Sequence, residues 1–313
     1  MKKYSFLIGI VIFILIISRL DLHELILVLN DINYFYLFLG FLLSFPILTI
    51  KVYRWNYLMK KQNINYSFKE SVLMYGSGMY IGIITPGRLG DFTKIAYLKN
   101  NHRSLGESAV SVILDRALDL FFLAIFGYLG LFFFFSLFTN LIYILTFILI
   151  LSLILLAVFL KTNSLKLLLK KIFNLFVPVK YQKSWKLNLR DFISGLKNYK
   201  VNDYLFTFLI TSFSWLFYYF QTFILIKSVN IDNISFLYAS VAITIVGLAG
   251  LLPISILGLG TREAILILLF SFFSISQEAT ISFSFLTLLM AVLIGLICSI
   301  CWLIRPIRFS KIC

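Results

Sequence analysis

The sequence predicts an all-α protein, a polytopic transmembrane helix bundle of about eight spans with a re-entrant helical hairpin and a broken helix in the second half. Of its 313 residues, 61% are hydrophobic and only 13% are charged, about half the charged fraction of an average soluble domain. Apolar runs long enough to cross a bilayer recur along the chain. A soluble enzyme is excluded, because so few polar residues could not cover its surface. A fibrous or disordered chain is excluded too, because glycine and proline are few and apolar residues are many.

A membrane-spanning helix needs about 20 mostly apolar residues. On that basis the chain reads as a single integral membrane domain over residues 1–313. The predicted spans are 4–20, 34–52, 108–135, 140–160, 204–226, 235–256, 263–275 and 279–303, of which 263–275 is the shortest. Lys2 and Lys3 precede the first span, as in a signal peptide, but no small-residue cleavage site follows it. We therefore expect an uncleaved span at the N-terminus.

The stretch 70–98 differs from these spans, because glycine and proline interrupt it in the middle. Each half, near 70–84 and 89–98, is too short to cross the hydrocarbon. Interrupted backbone at membrane depth is tolerated only inside protein or against water. The pattern predicts a re-entrant helical hairpin that enters and leaves on one side.

The distribution of basic residues predicts the orientation. With the N-terminus inside and 70–98 re-entrant, most of the 28 Lys and Arg residues fall in cytoplasmic segments, as the positive-inside rule requires. We expect a multi-pass protein of the plasma (inner) membrane with both termini cytoplasmic. The net charge of +15 then comes from basic loop residues that face anionic lipid headgroups. Nucleic-acid binding is not expected. The stretch 161–203 reads as a basic cytoplasmic loop with amphipathic helices, which either stay solvated or lie on the inner leaflet.

Ionisable residues inside apolar segments cost about 2.5–3.5 kcal/mol each on insertion scales, so they are candidates for function. The first cluster has the helix breakers Pro86, Gly87 and Gly90 and the charged residues Arg88, Asp91 and Lys94. We expect a new helix to start near Asp91, where free backbone N–H groups attract anions. Arg88 can fork onto a phosphate or carboxylate there. The alternative is a plain loop with a solvated arginine.

The second cluster consists of Asp115, Arg116 and Asp119, within the span 108–135. The two aspartates are four residues apart and share a helix face. They stand roughly 10 and 16 Å into the span. They are candidates for holding a cationic group. The alternative is a buried ion pair that fixes helix packing, and the two roles are compatible.

The third cluster closes one apolar helix and opens another. In chain order it contains Pro253, Gly258, Gly260, Thr261, Arg262 and Glu263. Thr261 is expected to cap the new helix, and Glu263 suits the positive end of the helix dipole. Capping does not account for Arg262, because the dipole disfavours a cation at that end. Arg262 is therefore a candidate for binding an anionic group.

The first and third clusters are alike, since each places a proline, a glycine break and a charged pair before an apolar helix. Broken helices in corresponding halves of a chain indicate a transporter site. The predicted substrate-binding or headgroup-binding residues are Arg88, Asp91, Lys94, Asp115, Arg116, Asp119, Arg262 and Glu263. Four are positive and four negative, so mutual pairing would lower their burial cost and leave a neutral polar site.

No pattern indicates catalysis. The chain has two histidines and lacks a G-x-x-x-x-G-K-[ST] phosphate loop and an H-E-x-x-H pair. Cys298 and Cys301 have CxxC spacing but lie in an apolar helical run without a second ligand pair. We expect no catalytic residue, no metal and no cofactor.

Three motifs resemble one known family. The stretch 86–91 is similar to its P-G-R-x-G-[DE] motif, 115–119 to its [DE]-R-x-x-D motif and 258–263 to its G-x-G-x-R-E motif. The family is the lysylphosphatidylglycerol synthase transmembrane region, also called flippase-like membrane proteins. The resemblance covers nearly the whole chain and implies a membrane domain that moves a lipid, or a lipid-linked group, between leaflets. The sequence ends at Cys313, after the last predicted span, so the aminoacyl transfer of the family's namesakes is not expected.

These observations together predict a flippase or scramblase for an anionic phospholipid or a polyprenyl-linked envelope precursor, without an ATPase of its own. Its expected partners are membrane lipids, with an envelope-biosynthesis enzyme as a possible protein partner. The sequence leaves the oligomeric state open. Two alternatives remain: a small-solute or ion-coupled secondary transporter, and a membrane subunit that anchors an envelope-synthesis enzyme.

Overall fold

The computed structural model describes residues 7–99, 104–133, 182–250, 255 and 257–306, with a few single positions between 143 and 154. Within these ranges the chain is mostly helical and contains no strand. Three of the helices are long and apolar enough to cross a membrane. The prediction of an all-α membrane helix bundle is therefore confirmed.

The helices follow one another along the chain with short connections. They are α1 (Leu7–Ile17), α2 (Leu22–Asn30), α3 (Tyr34–Lys61), α4 (Phe68–Ile84), a 3₁₀ helix (Pro86–Thr93), α5 (Lys94–Lys99), α6 (Leu105–Phe133), α7 (Gln182–Leu196), α8 (Val201–Ser228), α9 (Phe236–Ala249), α10 (Thr261–Ser271) and α11 (Gln277–Ile304).

Polar caps mark where several of these apolar helices begin. The Asp21 carboxylate accepts hydrogen bonds from the backbone N–H groups of His23 and Glu24 at the start of α2. Ser67 and Glu70 cap each other's backbone N–H groups at the start of α4. Serine hydroxyls accept a backbone N–H in the same way at Ser104, Ser235 and Ser276. Such caps satisfy N–H groups that have no partner inside the helix.

The three long apolar helices are α3, α8 and α11. Each has 28 residues, or about 42 Å at a rise of 1.5 Å per residue, against a hydrocarbon core of about 30 Å. The helices α8 and α11 match the predicted spans 204–226 and 279–303 to within three residues at each end. The helix α3 continues past the predicted end at residue 52, because Trp55, Leu58 and Met59 are buried in the core.

The remaining predicted elements have mixed outcomes. The helices α1, α6, α9 and α10 occupy parts of the predicted spans 4–20, 108–135, 235–256 and 263–275. The predicted span 140–160 lies outside the described residues except for single positions, and so does the first part of the loop 161–203. Within that loop, α7 is a helix that packs against α6. The count of eight spans stays a prediction.

Residue contacts divide the chain into two compact units. The first unit contains Met1–Lys51, Val72–Asp91 and Ser212–Pro306, and the second contains Val52–Ser71, Phe92–Thr211 and Ile307–Cys313. In the first unit, α10 packs on α1, α9 and α11. The buried Tyr238 hydroxyl donates to the Leu269 carbonyl at 2.7 Å there, so α9 and α10 are joined by a polar contact as well as by apolar packing.

The core of the second unit lies where α6 and α7 meet the C-terminal part of α3. Its buried residues are Leu58, Val110, Leu114, Leu118, Leu196 and Tyr199. The Tyr199 hydroxyl donates to the Leu58 carbonyl at 2.7 Å. Gly106 lets α6 approach α7 closely, because a Cβ there would collide with the Asn188 carbonyl.

The break after α4 is a tight reversal of the chain. The Gly90 N–H donates to the Thr85 hydroxyl at 2.7 Å, and Gly90 lies directly against the backbone of Ile81 and Gly82. The new α-helix predicted to start near Asp91 begins three residues later, at Lys94, because the 3₁₀ helix continues to Thr93. The 3₁₀ form fits a segment that must bend back, since its turns are tighter than those of an α-helix.

The helix α4 runs antiparallel to α11 in the first unit. A Cβ at Gly76 would lie 2.8 Å from the Cys301 sulfur, and a Cβ at Gly295 would lie 3.0 Å from Ile83 Cδ1. Gly295 is about 14 Å from the C-terminal end of α11 by helical rise. The chain thus reverses after α4 has run along only part of α11. A re-entrant hairpin requires this geometry, and its return to the same membrane side stays a prediction.

The Gly90 contact yields the first testable prediction. A Cβ at this position would collide with the Ile81 carbonyl and stand 2.5 Å from the Gly82 nitrogen. Gly90→Ala should therefore destabilise the protein by about 1–3 kcal/mol, because backbone must move. Thermal unfolding of the detergent-purified protein measures this. Gly250→Ala is the matched control, since its Cβ would approach no atom of the described residues closer than 3.4 Å. Equal melting temperatures for the two variants would contradict the packing described.

Candidate functional site

The eight charged residues singled out in the sequence are divided between the two units. Arg88, Asp91, Arg262 and Glu263 belong to the first unit, and Lys94, Asp115, Arg116 and Asp119 belong to the second. The two sets have different geometry.

A buried ionic network in the second unit centres on Arg54, which is fully buried. Its Nε donates to Asp115 Oδ1 at 2.9 Å, and its Nη1 and Nη2 donate to the two Asp119 oxygens at 2.8 and 3.1 Å. The remaining N–H groups donate to the Thr211 hydroxyl at 2.8 Å and to the Asp115 carbonyl at 3.0 Å. All five guanidinium N–H groups are therefore used. The network joins α3, α6 and α8.

Lys94 completes this network. Its amine is 3.0 Å from Asp115 Oδ2, with both side chains 1% exposed, and it lies 5.2 Å from the centre of the Trp55 ring. The cation–π contact adds to the ion pair in a place where water is excluded. Asp115 thus holds two cations of the chain, one on each oxygen.

This arrangement favours a structural role for the second cluster. Two cations and two carboxylates give no net charge, and the guanidinium has no donor left for a ligand. Arg116, on the same helix, is half-buried. The cationic groups that Asp115 and Asp119 hold in the structure come from this chain, so the buried-pair alternative accounts for them. A role of either aspartate toward a substrate stays a prediction.

Arg54 is not among the residues that the sequence singles out. It follows Lys51 near the end of an apolar run, where a basic residue is typical of the cytoplasmic end of a span. Its one distinguishing signal is the flanking pair Tyr53 and Trp55, which is too weak to single it out. Only the position of α6 beside α3 makes Arg54 the partner of both aspartates.

The third cluster lies at the start of α10 in the first unit. Leu257, Gly258 and Gly260 have φ angles of 55°, 78° and 80°, a region that glycine adopts without a steric penalty. The Thr261 hydroxyl donates to the Gly258 carbonyl at 3.0 Å. The prediction that Thr261 caps the helix is therefore wrong, because Gly260 is the N-cap residue. Pro253 lies outside the described residues.

Glu263 organises this helix start. It is fully buried, and its Oε2 accepts the Gly260 N–H at 2.6 Å. Its Oε1 accepts the Ser284 hydroxyl of α11 at 2.6 Å and Arg262 Nη2 at 2.7 Å. Both carboxylate oxygens are thereby occupied. Glu263 thus lies in the first turn of α10, as the sequence predicts from the helix dipole. Its carboxylate also links Arg262 to Ser284 of α11.

Arg262 uses one edge of its guanidinium for these contacts. Its Nε donates to the Ser284 hydroxyl at 2.7 Å, and Nε and Nη2 both face Glu263 Oε1. Among the residues that the structure describes, Nη1 and the second N–H of Nη2 have no partner. The side chain is 11% exposed. The end of the guanidinium is therefore held in place with two parallel donors that an oxyanion can bind.

Arg88 lies at the chain reversal after α4 and is exposed. Its φ angle is 54°, which is unusual for a residue other than glycine. Its side chain makes no ion pair or hydrogen bond with the part of the chain that the structure describes. Asp91 is buried and lies against Gly82, where a Cβ would come within 2.8 Å of its carboxylate. Strained backbone that presents an unpaired charge is typical of functional sites.

Comparison with protein families gives a clear result. The model of the lysylphosphatidylglycerol synthase TM region matches residues 4–299, nearly the whole chain. The protein belongs to this family. The resemblance inferred from the three motifs is thereby confirmed, and the chain is an integral membrane protein. No curated protein matches the chain.

In this member of the family, the three motifs differ in how they are packed. The middle motif, 115–119, is closed by Arg54 and Lys94. The first and third motifs instead present guanidinium groups with donors to spare, at Arg88 and Arg262. The candidate site for an anionic ligand is therefore in the first unit.

The Arg54 network yields the second prediction. Arg54→Leu would leave two buried carboxylates without their arginine, at a cost of about 3–5 kcal/mol. We expect a large drop in melting temperature, or loss of the folded peak in size-exclusion chromatography. Arg190→Leu is the control, because Arg190 is exposed on α7. Adding Asp115→Asn and Asp119→Asn to Arg54→Leu should recover part of the stability, since the uncompensated charges are removed. Unchanged melting of Arg54→Leu would contradict the network.

Proposed function

We propose that this protein moves an anionic phospholipid, or a lipid-linked envelope precursor, between the leaflets of the plasma membrane. It acts as a flippase or scramblase, and Arg88 and Arg262 bind the headgroup phosphate. The observation that carries the proposal is the end of the Arg262 guanidinium, which is held by Glu263 and Ser284 and keeps two parallel donors.

A phosphate fits this group for a chemical reason. Two parallel N–H donors match two oxygens of a phosphate or carboxylate, and the charged hydrogen bonds are stronger than neutral ones. Glu263 already fixes the guanidinium through its other edge, so binding an anion costs little side-chain entropy. The buried carboxylate also offsets the arginine charge, which keeps the affinity low enough for release.

The barrier that such a protein must lower is desolvation. A phosphate that enters hydrocarbon without partners loses its water at a cost of many kcal/mol. Guanidinium groups along the path replace the lost hydrogen bonds and the counter-charge. To move across, the phosphate then only has to exchange one hydrogen-bonding partner for the next. No motor domain is part of this proposal, so the direction of movement follows the lipid gradient or a coupled process.

The proposed location is the plasma membrane, and the proposed partners are its lipids. The basic segments support a plasma-membrane protein with both termini in the cytoplasm. Its partners are anionic or polyprenyl-linked membrane lipids, and an envelope-biosynthesis enzyme could supply or consume them. Aminoacyl transfer is not part of the proposed function, and neither is a catalytic residue, metal or cofactor.

Lipid mass spectrometry of the gently purified protein is the first test. We expect one anionic or polyprenyl-linked lipid to be enriched over the bulk membrane and lost in Arg88→Ala. Arg262→Lys should lose it as well, because an ammonium keeps the charge but cannot offer two parallel N–H donors in one plane. Lysine is preferred to alanine here, since it leaves Glu263 with a cation. Arg19→Ala is the matched control, since Arg19 is an exposed arginine of the same unit.

Translocation of that lipid in proteoliposomes is the functional readout. Arg88→Ala and Arg262→Lys should each slow it at least tenfold while the protein folds and inserts normally. Normal lipid movement in both variants would refute the proposal. Uptake of a water-soluble solute into sealed vesicles, without lipid movement, would instead support a secondary transporter.

A further inference from the structure

We infer that Arg88 and Arg262 are two successive phosphate-binding stations along one face of α11, and that the headgroup passes from one to the other. This inference rests on the proposed function, because it describes how that site moves its ligand. It is carried by two contacts with α11 in the first unit: that of Arg262 itself, and that of the end of α4, the helix that leads into Arg88.

The first station is located by the register of α4 on α11. Ile83 contacts Gly295, and the rings of Tyr80 and Trp302 lie 6.1 Å apart. Higher residue numbers in α4 thus meet lower numbers in α11. Arg88 follows five residues after Ile83, at the point where the chain reverses, so it lies close along the chain to the contact with Gly295.

The second station is located by a direct contact. Arg262 Nε donates to the Ser284 hydroxyl of α11 at 2.7 Å. Ser284 and Gly295 are 11 residues apart, which is three helical turns plus about 20° at 3.6 residues per turn. They therefore lie on the same face, separated by about 16 Å along the axis. Arg262 and the end of α4, five residues before Arg88, thus meet that face of α11.

The face of α11 between the two contacts is not fully buried. Leu288 and Ala291 lie on it by the same helical spacing, and both are only partly buried. Thr287, one position away, turns its hydroxyl to the Ser284 carbonyl at 2.7 Å. A separation of about 16 Å is roughly half the hydrocarbon thickness. A single arginine would leave the headgroup unaided over much of that distance.

The two arginines differ in a way that suits transfer. Arg88 is exposed and has no counter-charge among the described residues, whereas Arg262 shares its charge with the buried Glu263. The first station therefore captures an anion more strongly, and the second binds it through the free guanidinium end. Arg262 keeps its ion pair with Glu263 while its free end binds the anion, so transfer does not require that pair to open.

Photo-crosslinking distinguishes two stations from one. The protein is reconstituted with an anionic phospholipid that carries a diazirine beside the phosphate, and crosslinked peptides are mapped by mass spectrometry. In the unaltered protein we expect crosslinks to the segment 85–91 and to the segment 257–262. Arg88→Gln should reduce the first at least tenfold and leave the second within about twofold. The neutral double variant Arg262→Gln with Glu263→Gln should do the reverse.

Kinetics supply the second readout. Stations in series predict that either variant alone slows translocation at least tenfold, and that combining them adds little further loss. Crosslinks that disappear together from both segments in either variant would overturn the inference, because one composite site would then hold the lipid. Absence of both crosslinks from the unaltered protein would overturn it as well. Two separable crosslinks in a protein that moves no lipid would support the stations and refute the proposed function instead.

Discussion

The buried Arg54 guanidinium is the constraint on which the second unit depends. A charge without water needs a partner for every donor, and Arg54 finds five acceptors on α6 and α8. Those bonds fix the rotation of three helices about their axes, because a turn of any one would leave an uncompensated charge. Apolar packing alone does not impose such a register, since leucines tolerate small rotations. The network thus fixes the orientation of these helices, and Lys94 extends it to α5.

In the first unit, buried charges are also paired, but some guanidinium donors stay without partners among the described residues, and these form the candidate site. Glu263 is as deeply buried as Arg54 and has both of its oxygens occupied, yet Arg262 retains donors at its free end. Arg88 has even fewer partners, since it lies on strained backbone and has no counter-charge among the described residues. A closed network stabilises a fold, whereas an open one can bind a ligand. That contrast, and not the number of charges, selects the first and third motifs as the candidate ligand-binding motifs of this chain.

The helix α7 illustrates how a basic loop can contribute to structure. Its residues were expected either to stay solvated or to lie on the inner leaflet. In the structure, Ile193 and Leu196 are buried, and the helix meets α6 so closely that Gly106 has no room for a side chain. Arg190 on the helix and Lys197 directly after it remain exposed. This short basic segment therefore supplies apolar side chains for packing and keeps its basic charge accessible.

The sequence by itself determined the membrane class, the family, the long helices α8 and α11 and the three charged motifs. These properties follow from local composition, spacing and apolar length, which can be read from one segment at a time. Only the tertiary structure decided which charges pair, because Arg54 and its partners are more than 60 residues apart and no local pattern joins them. It likewise decided that Gly260 and not Thr261 caps α10, and that the break after α4 is a 3₁₀ turn. Both depend on how the backbone packs after the chain has turned back on itself.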